Sequence, residues 1–72
     1  MEQKYLSPSL AAGKKLKTLI KESKWKTQEE FAFQFGADVR TVGRWINQGI
    51  ANVDTIQELA DFLDVEFLSF FS

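Results

Sequence analysis

The chain has 72 residues, 44% of them hydrophobic and ten of them aromatic, with no cysteine and no histidine. That composition excludes a disulfide framework and a Cys/His zinc site. A chain this short buries only about 60% of its unfolded surface, so a dense core in one domain spanning residues 1–72 is expected. No apolar run approaches the roughly 18 residues of a membrane span, and the first residues lack the charged-then-apolar order of a signal peptide; a soluble, cytoplasmic protein with no membrane partner is the expectation.

Every element reads as helix. Ser7-Pro8 looks like an N-cap followed by proline at the first helical position, so a first helix should run from Pro8 to about Ser23. Ala12, Leu16, Leu19 and Ile20 line one of its faces; Lys14, Lys17 and Lys21 point the opposite way. Thr27 and Glu30 form a capping box that starts a second helix at Gln28, and Gly36 ends it. Asp38 is placed to cap a third, which continues to about Asn47 before Gln48-Gly49 breaks the pattern. Asn52 caps a fourth, with Val53, Ile56, Leu59, Ala60 and Leu63 on its inner face. Asp64 stands where a left-handed helix-ending residue belongs. Glu66 to Phe71 make a short last helix. No segment alternates with the period of a half-buried strand, so the fold class is all-α with five helices.

The stretch from Gln28 to Asn47, QEEFAFQFGADVRTVGRWIN, carries the most information. Two short helices meet at one glycine-marked turn, the layout of a DNA-reading helix-turn-helix. Phe31, Phe35, Val42 and Trp45 are apolar at helical spacing on either side of Gly36, and Ala32 is small enough for two helix backbones to approach. On a helical wheel Val39, Val42, Trp45 and Ile46 share one arc of the third helix, while Arg40, Gly43, Arg44 and Asn47 share the other, with no acid among them. Arginine can grip guanine O6 and N7 in a bidentate way, whereas Asn47 can equally cap the helix end. An exposed arginine is ordinarily just solvated; its place on the second helix of such a unit is what favours the groove. Glycine in mid-helix costs about 1 kcal/mol relative to alanine, so Gly43 is either a tolerated residue or one that lets the backbone approach base edges.

Charge is polarised along the chain. All nine Lys and Arg lie at or before Arg44, opposed by five acids in residues 1–45, for a net +4; residues 46–72 hold five acids and no base. A net charge of −1 therefore conceals one face able to meet phosphate. Of the lysines, Lys24 and Lys26 in the loop before the second helix are better placed for phosphate than the stripe of the first helix. Trp25, Trp45 and most of the phenylalanines belong to the core by default. The run Phe67-Leu68-Ser69-Phe70-Phe71 holds more apolar bulk than one short face can hide. Phe67 and Phe70 should turn inward, and Leu68 and Phe71 should remain outside, marking an interface region of Phe67, Leu68, Phe70 and Phe71.

The segments GKKLKTLIKES, TQEEFAFQFGADVRTVGRW and TIQELADFLDV together resemble the Cro/phage-repressor (xenobiotic-response-element type) helix-turn-helix family, over Gly13 to Phe71. The resemblance implies a compact five-helix bundle whose third helix enters the major groove. It also implies a homodimer that controls transcription. Family members use the position of Gln28 to touch phosphate and brace a side chain of the third helix. The chain departs from the family at Asp38, where Ser or Thr is preferred, and at Ile46-Asn47-Gln48-Gly49, where an acid and an earlier glycine are usual. The residues expected at double-stranded DNA are Lys26, Thr27, Gln28, Asp38, Val39, Arg40, Thr41, Gly43, Arg44 and Asn47.

The function expected is sequence-specific DNA binding by a repressor-like regulator. Its rival is a protein-interaction or antitoxin-like regulatory module on the same fold, using the acidic second half and the Phe-rich end. Enzyme chemistry has little support. There is no His, no Cys and no glycine-rich phosphate loop, and the acids of the fourth helix are a solvated face. No cofactor, metal or small-molecule substrate is expected.

Overall fold

A computed structural model describes residues 7–71. Four α-helices are followed by a 3-10 helix: α1 (Pro8–Glu22), α2 (Gln28–Phe35), α3 (Val39–Gln48), α4 (Val53–Leu63) and the C-terminal turn Phe67–Phe71. No strand occurs among the described residues. The fifth helix is thus a 3-10 turn rather than α-helical; five residues are too few to sustain α-helix on their own.

Each helix start is capped by the residue its sequence suggests. Ser7 Oγ accepts from the Leu10 N–H, Thr27 Oγ1 from Glu30, Asp38 Oδ1 from Arg40, and Asn52 Oδ1 from both Asp54 and Thr55. The capping box at α2 is only half made. The Thr27 N–H donates to the Trp25 carbonyl at 2.7 Å, which leaves the Glu30 carboxylate to accept from Gln34 instead.

The core joins all five elements through Leu16, Phe31, Val42, Ile50, Leu59 and Phe70, and no polar side chain is buried among the described residues. Trp25, Phe31, Phe35, Phe62 and Trp45 interlock beside it with ring centroids 4.8–6.1 Å apart, stacked or edge-on, as aromatic quadrupoles prefer. Val53 and Phe33 lie outside the core. Val53, the first residue of α4, is exposed rather than inward. Phe33 is 78% exposed, because it lies about 200° around α2 from Phe31 and so faces away from the core that Phe31 and Phe35 share.

Three backbone features position α3. Gly36 takes the left-handed conformation (φ 92°, ψ 26°), and its N–H and that of Ala37 both donate to the Ala32 carbonyl, closing α2 so that α3 can turn across it. Gly13 lies against the α3 backbone; a Cβ there would stand 2.2 Å from the Trp45 carbonyl oxygen. Gly49 (φ 102°) leads into a bond from the Ile50 N–H to the Ser9 carbonyl at 2.9 Å, which ties the end of α3 to the start of α1.

Nothing lies within 4 Å of the Cβ position at Gly36, so substitution there tests backbone conformation alone. Gly36→Val is expected to destabilise the fold by about 1–3 kcal/mol, and Gly36→Asn by less, since asparagine tolerates positive φ. Thermal melts that leave the valine variant level with the parent would show that this turn is unstrained.

Candidate nucleic-acid interface

The ten residues of α3 rise about 15 Å, enough to lie along a major groove. Val42 and Ile46 are buried and Trp45 is half-buried, which fixes the helix by one side. Arg40, Arg44 and Asn47 are exposed on the other, as the wheel requires, and neither arginine makes an ion pair with a described residue. Gly43 is half-buried, yet a Cβ there would meet only Gln28 Oε1, at 3.8 Å. No internal packing demands the glycine. The same measurement brings Gln28, at the start of α2, beside the middle of α3. Thr41 is half-buried and its N–H donates to the Asp38 carbonyl; the Asp38 side chain is spent on the cap. Val39 is exposed, not aligned inward with Val42, because it is the first residue of α3 and stands beyond the core.

The lysines divide in a way the sequence conceals. Lys26 and Thr27 are exposed beside Gln28, and Lys26 holds a left-handed conformation (φ 65°), uncommon for a residue with a Cβ. Its Nζ donates to the Ser23 carbonyl at 3.3 Å. Lys24 folds over the Trp25 ring, 5.4 Å from its centroid, and so has a partner already. Lys17 and Lys21, assigned to a solvated stripe, line the same hollow as Lys26, Thr27 and Gln28. That hollow, of about 180 Å³, joins α1 to the start of α2, where unpaired N–H groups already favour an anion. A helical wheel drawn on α1 alone could not reveal a partner on α2.

A helix-turn-helix family matches residues 16–70, more than two thirds of the chain. The chain belongs to that Cro/phage-repressor family. No curated protein and no solved structure matches it. The family is one of DNA-binding regulators, which agrees with a domain whose turn unit is intact from Thr27 to Asn47. Among the described residues no group of His, Cys, Asp or Glu could hold a metal ion, and no helix is long and apolar enough to cross a membrane.

At the C-terminal end of the helix-turn-helix domain, Leu68 is 70% exposed and Phe71 is partly exposed. Phe67 is half-buried with its ring 5.5 Å from that of Phe71. Phe70 is 1% exposed; it belongs to the core and has no surface to offer a partner, so it drops out of the candidate interface.

Proposed function

We propose that this helix-turn-helix domain binds double-stranded DNA sequence-specifically, as a homodimer, to regulate transcription in the cytoplasm in the manner of a repressor. The observation that carries the reading is the outer face of α3, where Arg40, Arg44 and Asn47 stand clear around a glycine that internal packing does not require. Arg40 and Arg44 read base edges. Lys26, Thr27, Gln28 and Asn47 hold phosphate and set the register, and Val39, Asp38 and Thr41 flank the groove at the start of α3. Gly43 admits the backbone close to the bases.

Binding to mixed duplex DNA at two salt concentrations tests the reading. A dimer that neutralises six to ten phosphates loses on the order of 10³–10⁵ in affinity between about 50 and 200 mM salt. Affinity that is absent, or indifferent to salt, would leave the fold without a duplex ligand.

The exposed Leu68 supports the dimer, since two α3 helices must reach successive major grooves about 34 Å apart. Leu68→Asp should shift the chain to monomer in sedimentation and weaken operator binding, with helical content unchanged. Leu68 is the cleaner target than Phe71, which also supports Phe67. A parent that sediments as a monomer at high concentration would remove the dimer from the proposal.

A further inference from the structure

We propose that the hollow between α2 and α4 docks an arginine side chain of a partner protein. The hollow, of about 610 Å³, is lined by Phe35, Gly36, Glu58, Asp61 and Phe62. Its floor is aromatic and braced. Phe35 and Phe62 stand edge to face at 5.2 Å, Trp25 stacks on Phe62 at 4.8 Å, and Trp45 meets Phe35 edge-on at 6.1 Å. Gly36 adds no side chain to the mouth.

The rim is anionic. Glu58 and Asp61 are three residues apart, hence on one face of α4, and both are exposed. Glu58 has no hydrogen bond or ion pair to a described residue; Asp61 accepts from Gln57 Nε2 through Oδ1 alone. α4 itself carries no base beside them.

A ring floor under a carboxylate rim selects a planar cation. A guanidinium can stack on an aromatic face and hold a carboxylate bidentately at once, which a lysine ammonium cannot. Duplex DNA is repelled by the same carboxylates, so the occupant is a protein. A second copy bound to DNA has no arginine to give, because the only two in the chain, Arg40 and Arg44, lie on the outer face of α3. The site is independent of the DNA reading, and α3 remains free while it is filled.

The test titrates the ¹⁵N-labelled chain with a blocked decapeptide carrying two arginines among leucine, alanine and glutamine, and with the same peptide carrying citrulline or lysine instead. The expected result is saturable amide shifts at Gly36, Glu58, Asp61 and Phe62. Affinity should fall about tenfold for citrulline, the neutral copy of the same shape, and less for lysine. Glu58→Gln with Asp61→Asn should abolish the shifts at unchanged helical content, with Glu58→Gln alone as the milder variant; Arg44→Ala should leave them intact. Equal binding of the arginine and citrulline peptides would overturn the proposal. So would shifts centred on Asp54 and Glu66, or no shift up to about 1 mM peptide. Self-association that the double substitution removes would make a second copy the occupant and overturn it likewise.

Discussion

Gly13→Ala is expected to lower the melting temperature by about 10–20 °C, although alanine is the better helix former. A carbon approaches a carbonyl oxygen to about 3.3 Å in ordinary contact. The added methyl would stand 2.2 Å from the Trp45 oxygen, with the Ile46 oxygen and Gly49 Cα at 3.2 and 3.3 Å behind it. All three neighbours are backbone, so none can swing aside, and α1 and α3 must part. Overpacking of this sort costs about 1–3 kcal/mol and occasionally more, against a total stability on the order of 4–11 kcal/mol for a domain of this length. Gly43→Ala is the matched control. It makes the same propensity gain, its methyl meets only the end of Gln28, and it should raise the melting temperature while weakening duplex binding. Calorimetry on the two variants decides the matter, and similar shifts of the same sign would mean that the α1–α3 crossing is looser than described.

Arg44→Ala is expected to weaken binding to the preferred site by about 1–3 kcal/mol, roughly 5- to 150-fold, and to relax the choice of base at one position. Arg44 is exposed and unpaired among the described residues, so its loss should leave the melting curve where it was. Lys26→Ala makes a contrasting variant, lowering affinity for all duplexes alike and reducing the salt dependence by about one phosphate. Site selection from random duplexes by parent and variants separates the two effects. A folded Arg44→Ala variant with unchanged affinity and unchanged preference would remove Arg44 from the groove.

Much of this was legible in the sequence because the relevant physics is local. Caps, helix-ending residues and the inner face of each helix depend on residues within one or two turns, and Ser7, Thr27, Gly36, Asp38, Asn52 and Asp64 act as their types and places predict. The outer face of α3 is legible for the same reason. What escaped depends on contact between elements. Gly13 reads as an indifferent glycine until α3 lies against it. Lys17 and Lys21 are exposed as a solvated stripe should be, but that they share a hollow with the start of α2 is visible only once α2 lies alongside. Phe33 is a phenylalanine outside the core, as its register on α2 requires. Phe70 turns inward and Leu68 outward as their places in the last turn predict, but only the packing shows that Phe70 is too deeply buried to belong to the interface as well.

The bond from Ile50 to Ser9 has a consequence for where the folding unit begins. The residues matched to the family begin at Leu16, yet Ser7, Ser9 and Gly13, all before that match, cap α1, anchor the loop after α3 and fix the crossing with α3. The outer face that would read bases thus depends, through α3, on a segment that contributes no base contact. A fragment trimmed to the matched residues would keep every proposed DNA-binding side chain and lose the purchase that aims them.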